Sequence, residues 1–384
     1  MGTVEDGVST NRTSAPLLRE LVVCSLEPWD DVWRRNQFFV DSLLKRNPEL
    51  RVLFVEPPAD VLFDLRCRRI PTFPRLRKLS PDGRLRALRP LKPLPRKVGR
   101  VADDLLHGQV RLAARASGFA HPTLWINDVT FAPLIESTGW PSLYDVTDDW
   151  LLAPFPPREL ERLRRLDELA LAEADEVVVC SPALAASRGA SRAVTLIPNG
   201  VDIEHFRRVR PRPNDLPEGP TAVYVGSLHD ARIDIELVVE LASALPHVKL
   251  VFVGPNSLTA ASDRRLAAEP NVVLLGPRPY HDVPAYLQHA DVVIVPHRVS
   301  AFTESLDPIK AYECLAIDPP TVATPVAGFR ELSDVLDVVS PEAFPARVAS
   351  ILEKQPMRVL TTEPPSWNDR ATAFEAVLRR ATET

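Results

Sequence analysis

The segment 221–255, TAVYVGSLHDARIDIELVVELASALPHVKLVFVGP, contains the pattern that decides the fold. It opens with the apolar run TAVYV and closes with KLVFV, and both runs are rich in β-branched residues, which favour strands. Between them lies DIELVVELASAL, an apolar stretch of helical length. The order strand, helix, strand predicts two parallel strands joined by a crossover helix.

The same alternation extends over most of the chain. Further apolar runs are LVVCSL (21–26), RVLFVEPP (51–58), TLWIN (123–127), SLYDVTDD (142–149), EVVVCS (176–181), NVVLLGP (271–277), DVVIVPH (291–297) and PTVAT (320–324). We therefore predict an α/β protein with two Rossmann-like domains in tandem. No GxGxxG fingerprint follows any of these runs, which argues against a dinucleotide-dependent oxidoreductase.

Polar and proline-rich segments of the sequence suggest the domain limits. We predict a loose polar leader at 1–18, an N-terminal domain at 19–206 and a C-terminal domain at 221–362, separated by the proline-rich linker RRVRPRPNDLPEGP (207–220). Residues 363–384 include an amphipathic segment, and we expect it to form a last helix that returns to the N-terminal domain.

The bulk properties exclude several classes of protein. The net charge of −5 and the pI near 6.0 argue against a nucleic-acid binder. No apolar run is long enough to span a membrane, and the N-terminus lacks the features of a signal peptide. The four cysteines form no CxxC pair and the histidines have no metal-ligand spacing, so we predict no metal site. We therefore expect a cytoplasmic protein. A peripheral position at the inner face of the membrane is also compatible with these features.

The segment SLDPIKAYECLA (305–316) poses a specific question. Asp307 and Pro308 predict the start of a helix, with the aspartate as N-cap and the proline at the first helical position. Lys310 and Glu313 then place two opposite charges on a short and otherwise mostly apolar helix. A charged pair in such a helix indicates either a binding site or a solvated ion pair.

Five stretches in a fixed order resemble the glycosyltransferases of the GT-B fold, close to retaining family 4. They are IPNGVDIEHF (197–206), YVGSLHDARIDIELV (224–238), VPAYLQHADVVIVP (283–296), SLDPIKAYECLA (305–316) and TPVAGFREL (324–332). In the first half, EPWDDVWRRNQ (27–37) and YDVTDDW (144–150) resemble a bacterial branch of that group. The resemblance implies two Rossmann-like domains facing across a cleft, with a nucleotide sugar on the C-terminal domain and the acceptor on the N-terminal one.

The resemblance also assigns roles on the donor side. Glu313 matches the glutamate that binds the nucleotide ribose, because a carboxylate accepts from both ribose hydroxyls. Lys310, one turn earlier, is expected either to neutralise phosphate charge or to pair with Glu313. Arg232 stands where the family has a basic residue for the diphosphate, on which negative charge builds as the glycosidic bond breaks. Gly226 and Ser227 form the turn that lets the backbone approach the phosphates.

The sequence departs from the family pattern at the donor sugar. Ser305 occupies the position of the family's first glutamate, and Glu304 precedes it. Glu304 substitutes for that acid if the loop shifts by one residue; otherwise Ser305, or the backbone N–H groups of Ser305 and Leu306, meet the sugar and diphosphate. Pro277 and Tyr280 belong to the loop that cradles the base in such enzymes.

Candidate acceptor residues follow the first strand. Trp29, Asp30 and Arg34 come just after its carboxyl end, where open α/β sheets bind ligands. We predict that Trp29 stacks on a sugar ring and that Asp30 and Arg34 bind hydroxyls or phosphate. The alternative is a surface loop anchored by one tryptophan.

Three aspartates at other strand ends are candidate catalytic residues. Asp148 and Asp149 end the run SLYDVTDD, and Asp128 follows TLWIN at the same sheet edge. We interpret Asp148 and Asp149 as helix-capping or acceptor-facing groups.

The function expected from these features is transfer of a sugar from a nucleotide sugar to an acceptor with retained anomeric configuration. Retention needs no strong base, since the leaving phosphate can accept the acceptor's proton. UDP is favoured, with GDP and dTDP open, and the nucleotide sugar is a co-substrate rather than a tightly bound cofactor. An acceptor of cell-envelope glycan or secondary-metabolite type is expected. Two alternatives keep the fold: a nucleotide-sugar epimerase and a non-catalytic partner protein.

One densely basic stretch lies in the acceptor half of an acidic protein. Residues 66–100 carry a single acid, Asp82, and have leucine, isoleucine and phenylalanine between the charges. Such a stretch suits an anionic or lipid-linked acceptor, or an anionic membrane surface. A solvated, proline-stiffened hairpin is the alternative.

Overall fold

The structure is a computed structural model that describes residues 18–61, 75–92, 100–354 and 362–383. Its strands are β1 Glu20–Cys24, β2 Arg51–Val55, β3 Ala59–Asp60, β4 Arg75–Lys78, β5 Leu85–Arg89, β6 Leu91–Lys92, β7 Thr123–Ile126, β8 Ser142–Val146, β9 Glu176–Val179, β10 Thr195–Leu196, β11 Thr221–Val225, β12 Lys249–Val253, β13 Val272–Gly276, β14 Val292–Val295, β15 Thr321–Ala323 and β16 Asp337–Val338.

The helices alternate with the strands, as the sequence pattern predicts. They are α1 Arg35–Arg46, α2 Arg100–Ala116, α3 Leu134–Thr138, α4 Pro157–Glu173, α5 Pro182–Arg188, α6 Ile203–Arg207, α7 Ile235–Ala244, α8 Ala260–Ala267, α9 Val283–Gln288, α10 Ala301–Glu304, α11 Ile309–Leu315, α12 Phe344–Lys354 and α13 Trp367–Ala381.

Two separate sheets carry the two halves of the chain. In the described residues, the N-terminal sheet has the order β10-β9-β8-β7-β1-β2-β5-β4, and the C-terminal sheet has the order β13-β12-β11-β14-β15-β16. Every strand pair in them is parallel except β4 with β5. Central strands such as β1 and β12 are buried almost throughout, because helices cover both faces of a parallel sheet. The α/β architecture predicted from the alternation is confirmed.

The last helix lies on the N-terminal sheet rather than on the sheet that precedes it in sequence. Phe374 of α13 stacks on Phe39 of α1 at 4.5 Å between ring centroids, and Trp125 of β7 lies 4.6 Å from Phe374. Trp367 stacks on Phe38 at 4.6 Å. All of these aromatic side chains are buried, so the two chain halves share one hydrophobic seam.

The crossing of the last helix requires a glycine at position 200. A Cβ there would lie 2.8 Å from the carbonyl carbon of Ser366 and 2.9 Å from the nitrogen of Trp367. The backbones of Val201 and Trp367 approach closely enough for the Trp367 N–H to donate to the Val201 carbonyl at 3.3 Å. Asn199-Gly200 is therefore a structural crossing point as well as a turn.

The start of α11 differs from the sequence prediction. The helix begins at Ile309, Pro308 is the N-cap residue, and the Asp307 side chain makes no capping bond. The Asp307 carboxylate instead accepts hydrogen bonds from the Asn199 N–H at 2.5 Å and from the Tyr312 hydroxyl at 2.6 Å. The prediction of Asp307 as N-cap is wrong because these two donors, one of them from the other half of the chain, occupy its carboxylate.

The described part of the basic stretch 66–100 is a hairpin. Strand β4 pairs with β5 in antiparallel fashion and forms one edge of the N-terminal sheet. Each β4 residue is exposed, and the Arg77 guanidinium pairs with the carboxylate of the buried Glu56. Residues 66–74 and 93–99 of the basic stretch lie outside the described residues. Within the described residues, no helix has the length and apolar character needed to cross a bilayer.

The aromatic seam should contribute measurably to stability. Replacing the fully buried Phe374 by alanine is expected to lower the free energy of unfolding by about 3–5 kcal/mol, because it leaves a cavity between α13 and the N-terminal sheet. Denaturant unfolding of the full chain measures the change. Ala373→Ser, at an exposed position of the same helix, should change stability by less than about 0.5 kcal/mol. Equal effects from the two variants would contradict the packing role.

Candidate active-site cleft

One cleft runs between the two halves at the carboxyl ends of both sheets. Its N-terminal wall includes Glu27, Trp33, Arg34, Arg35, Asn36, Asn127, Thr147, Asp148 and Asn199, and its C-terminal wall includes Tyr224, Gly226, Ser227, Arg232, Tyr280, His297, Leu306, Asp307, Lys310 and Glu313. Parallel strands end at one edge of a sheet, which explains why loops distant in sequence meet here.

The two charges of α11 both face this cleft. Lys310 and Glu313 are half-buried and lie next to each other in the C-terminal wall. Burial raises the pKa of the Glu313 carboxyl, and the nearby Lys310 opposes that shift. Burial likewise lowers the pKa of the Lys310 amine. The question posed by the helix 305–316 is therefore answered in favour of a pair of cleft charges rather than a solvated surface pair.

The turn after β11 makes room for the lysine. Gly226 has φ +147°, and a Cβ at this position would lie 2.1 Å from the Lys310 ammonium nitrogen. The ammonium lies 5.3 Å from the centroid of the Tyr224 ring, a cation–π distance. Ser227 follows in the cleft wall. Only glycine allows both this backbone conformation and the passage of Lys310 into the cleft.

Arg232 forms an ion pair across the cleft. Its guanidinium donates to the Asp148 carboxylate at 2.8 Å, and so joins the C-terminal half to the N-terminal half. Both groups line the cleft. The predicted diphosphate arginine and one predicted catalytic aspartate are thus brought together as an ion pair.

The other two predicted catalytic aspartates have structural roles. Asp149 is buried, caps the 3-10 turn at Trp150–Leu152 and accepts from the Arg188 guanidinium at 2.9 and 3.1 Å. Asp128 caps the turn at Val129–Phe131 by accepting from the Thr130 N–H at 2.9 Å. Neither residue lines the cleft. The capping role predicted as one alternative for Asp149 agrees with this geometry, and a catalytic role for Asp149 or Asp128 stays a prediction.

Of the three predicted acceptor residues, one lines the cleft and two do not. Arg34 lines the cleft, where its guanidinium also pairs with Asp30 at 3.2 Å. Trp29 packs edge-on against Phe54 at 5.1 Å, and Trp33 takes the place in the cleft wall that was predicted for Trp29. This packing favours the alternative of a loop anchored by one tryptophan, and stacking of Trp29 on a sugar ring stays a prediction. Asp30 serves Arg34 and the Val32 N–H instead of the cleft.

The acid expected near the donor sugar is missing from the cleft. Glu304 pairs with Arg330 at 2.6 Å outside the cleft. Ser305 is buried, and its hydroxyl donates to the Phe302 carbonyl at 2.7 Å. Leu306 does line the cleft. Glu304 and the Ser305 hydroxyl thus have partners outside the cleft lining, and a contact of any of these residues with the sugar or diphosphate stays a prediction.

The predicted base loop lies partly against the other half of the protein. Tyr280 lines the cleft, but its ring stacks between Trp33 at 5.7 Å and His205 at 4.4 Å. Its N–H donates to the Asp31 carbonyl at 2.7 Å. Pro277 does not line the cleft. Tyr280 thus contributes to the contact between the halves, and the role of this loop in binding the base stays a prediction.

Glu27, which the motifs in the sequence do not single out, lies in the N-terminal wall of the cleft. Its carboxylate accepts from the amide of the buried Asn36 at 3.3 Å and from the Ser25 hydroxyl at 3.5 Å. Burial, reinforced by the Asp148 carboxylate and opposed by Arg34 and Arg232, raises the pKa of Glu27 to about 7. The available signal was its place directly after the first strand.

His297 is a second residue of the cleft wall with a perturbed pKa. It is buried, and its Nε2 lies 3.3 Å from the Tyr224 hydroxyl. Burial, with smaller contributions from Lys310 and Arg232, lowers the pKa of His297 to about 3. The imidazole is neutral at physiological pH and can accept or donate a hydrogen bond without adding charge to the cleft.

Comparison with known proteins agrees with this architecture. The sucrose-phosphate synthase (tll1590) structure from Thermosynechococcus elongatus aligns with a TM-score of 0.67 over 95% of this chain and 98% of that chain, at 18% identity. An Escherichia coli structure, described as "Trehalose-6-phosphate from E. coli bound with UDP-2-fluoro glucose", aligns with a TM-score of 0.62 over 94% and 99%, at 13% identity. The fold is therefore that of the GT-B glycosyltransferases.

Sequence comparison also finds similarity to glycosyltransferases. Residues 219–354 match the family model "Glycosyl transferases group 1". The "Putative teichuronic acid biosynthesis glycosyltransferase TuaH" of Bacillus subtilis (strain 168) is 27% identical over 221 residues, which cover 52% of this chain and 55% of that protein. The chain thus spans about half the length of this curated relative. The predicted resemblance to GT-B glycosyltransferases is confirmed, whereas membership of family 4 stays a prediction.

The raised pKa of Glu27 has a consequence for stability. Because the folded protein holds this proton up to pH near 7 and the unfolded chain releases it near 4.5, stability should fall as pH rises between these values. Glu27→Gln removes the cost, which is at most about 3 kcal/mol. The variant should therefore be more stable than the wild type at pH 8 and nearly equal to it at pH 4.5 in thermal unfolding. Glu136→Gln, at an exposed position, is the charge-matched control, and the same pH trend in both variants would contradict the assignment.

Proposed function

We propose that this protein transfers a sugar from a nucleotide sugar to an acceptor bound by the N-terminal half, with retention of anomeric configuration. One observation carries the proposal. Glu313, Lys310, Arg232 and the glycine turn at Gly226 share one wall of a cleft, and together they match the chemistry of a nucleoside diphosphate. Confirmed similarity to GT-B glycosyltransferases supports the same class of reaction.

Each donor group has a chemical counterpart in that wall. The Glu313 carboxylate accepts hydrogen bonds from the two ribose hydroxyls, and the Lys310 ammonium neutralises phosphate charge beside the Gly226 backbone. UDP is the favoured nucleotide, and the Escherichia coli structure to which this chain is similar has UDP-2-fluoro glucose bound. The nucleotide sugar acts as a co-substrate that leaves after each turnover, with no tightly bound cofactor.

Arg232 exchanges partners when the donor binds. A diphosphate near the Gly226 turn competes with the Asp148 carboxylate for the guanidinium, which favours bidentate contact with phosphate oxygens. As the glycosidic bond breaks, negative charge grows on the leaving phosphate, and Arg232 and Lys310 stabilise it. In a retaining transfer the leaving phosphate accepts the acceptor's proton on the same face.

For the acceptor, we favour a glycan of the cell-envelope type, with a secondary metabolite as the other class. The name of the Bacillus subtilis relative, a teichuronic acid biosynthesis protein, supports the first class. The exposed basic edge strand β4 supports an acceptor that is anionic or lipid-linked, or a peripheral contact with an anionic membrane at the inner face.

Nucleotide binding tests the donor site. Glu313→Ala and Arg232→Ala are each expected to weaken binding of UDP, GDP or dTDP by about 1.5–3 kcal/mol, roughly tenfold to 150-fold, because each removes a hydrogen-bond partner with charge. Isothermal titration calorimetry measures the affinities, and circular dichroism confirms the fold. Arg330→Ala removes an arginine outside the cleft and serves as the control for Arg232→Ala. Wild-type affinity in both cleft variants would show that the donor site lies elsewhere.

The basic edge strand has a separate test. We expect the protein to sediment with vesicles containing anionic lipid at low salt and much less at high salt, since each basic residue near the surface adds about 1 kcal/mol. Reversing the charge of Arg75, Arg77 and Lys78 to glutamate should abolish this sedimentation. Reversing Arg158, Arg164 and Arg165, which are exposed on α4, alters the net charge equally and should not abolish it. Sedimentation that depends on neither lipid charge nor salt would contradict the electrostatic contact with the membrane. The solvated hairpin would then be the remaining interpretation of β4 and β5.

A further inference from the structure

The Glu27 carboxylate has one oxygen that can accept further hydrogen bonds in the cleft. Its Oε2 accepts the two long bonds from Asn36 and Ser25, at 3.3 and 3.5 Å. Its Oε1 has no hydrogen-bond partner within the ranges that the structure describes, and the side chain lines the cleft. A carboxylate oxygen without a partner inside a cleft is available to a ligand that donates hydrogen bonds.

The neighbouring groups of the same wall are already occupied. The Asn127 amide accepts from the Leu26 N–H and from Asn36, and it donates to the Asp145 carbonyl and to the Thr147 hydroxyl. Asp148 is held by Arg232 and by the Thr147 hydroxyl. Glu27 therefore keeps a carboxylate oxygen for a ligand whether or not Arg232 is paired with Asp148.

The charges around Glu27 define which ligand group fits. The charged side chains whose electrostatic interaction with Glu27 shifts its pKa are Asp148 from the loop after β8, Arg34 from the turn before α1 and Arg232 from the loop after β11. Arg34 is paired with Asp30, and Arg232 is paired with Asp148 or, in the proposed donor complex, with the diphosphate, so neither guanidinium is left for an anionic group of the acceptor. A phosphate or carboxylate beside two acidic side chains would be repelled, whereas a neutral hydroxyl donates to an ionised carboxylate in a charge-assisted bond.

We propose that Glu27 binds a hydroxyl of a neutral pyranose ring of the acceptor and holds that ring against the donor. This inference rests on the proposed function, because it assigns the acceptor side of the same cleft. Any anionic or lipid part of the acceptor then lies outside the cleft. Glu27 is a specificity-determining residue and takes no proton from the nucleophile. The reacting oxygen forms its bond to the anomeric carbon as the bond to the diphosphate breaks; the electron pair leaves with the nucleoside diphosphate, which also receives the hydroxyl proton.

Ligand-detected NMR on the full chain tests the proposal. The probes are methyl glucopyranoside, methyl N-acetylglucosaminide, methyl galactopyranoside and the anionic methyl glucuronide, each with saturating UDP, GDP or dTDP. At least one neutral glycoside should bind the wild type, and the glucuronide should bind at least tenfold more weakly than its neutral counterpart. The ionised fraction of a group with a pKa near 7 rises about tenfold between pH 6 and pH 8, so neutral-glycoside affinity should rise by up to about tenfold.

Glu27→Gln should bind the neutral glycoside at least tenfold more weakly at pH 8 and lose the pH dependence. Its nucleotide affinity should match the wild type, and Glu136→Gln should match the wild type throughout. Failure of the wild type to bind any of the nucleotides would contradict the proposed function itself. Nucleotide binding without binding of any neutral glycoside, or with unchanged glycoside affinity in Glu27→Gln, would overturn the role of Glu27 alone.

Discussion

A buried line of polar contacts from Asp145 to Asp307 fixes how the two halves meet. The Arg35 guanidinium donates to both oxygens of Asp145, at 3.2 and 3.1 Å, and to the Asn199 side chain at 3.1 Å. Asn199 in turn donates from its backbone N–H to the Asp307 carboxylate and from its side chain to the Asp307 carbonyl. Asp307 lies two residues before α11, so this line sets the position of Lys310 and Glu313.

The burial of this line makes it intolerant of change. Arg35 and Asp145 are 4% and 0% exposed, and removal of one partner would leave the other as an unpaired buried charge, which typically costs about 3–5 kcal/mol. The aromatic seam between α1 and α13 acts in parallel, because it holds the end of the chain on the first sheet. The cleft geometry thus depends on contacts between residues that are far apart in sequence, and the surface salt bridges add little to it.

The cleft is a place where charges exchange partners. Arg232 is paired with Asp148 across the two halves, and in the proposed mechanism a bound diphosphate replaces Asp148 as the partner of Arg232. Burial shifts the pKa values of Glu27, Lys310, Glu313 and His297 away from their ordinary values. Clusters of perturbed groups in a cleft are typical of functional sites, and here they surround the space between the proposed donor and acceptor walls.

The strands were predicted correctly because the signal for a strand lies in neighbouring residues of the sequence. The predicted strands TLWIN and SLYDVTDD appear as β7 and β8, and the predicted second-half strands appear as β11 to β15, because buried parallel strands are continuous apolar runs. The rule that ligands bind at the carboxyl ends of strands correctly located the loops after β1, β8 and β11. It could not tell which side chain of a loop faces the cleft, so Trp29 was chosen over Trp33 and Glu27 was missed.

By itself the sequence determined the alternation of strands and helices, the two-sheet architecture and the charged helix with Lys310 and Glu313, since periodicity and local residue preferences are properties of neighbouring residues. Only the tertiary structure decided which polar groups satisfy each other. Asp149 pairs with Arg188, Glu304 pairs with Arg330, and Asp307 accepts from Asn199. The last of these contacts explains why Asp307 does not cap α11 as predicted. Such pairings depend on distances across the folded chain, where a buried charge must find a partner wherever packing places one.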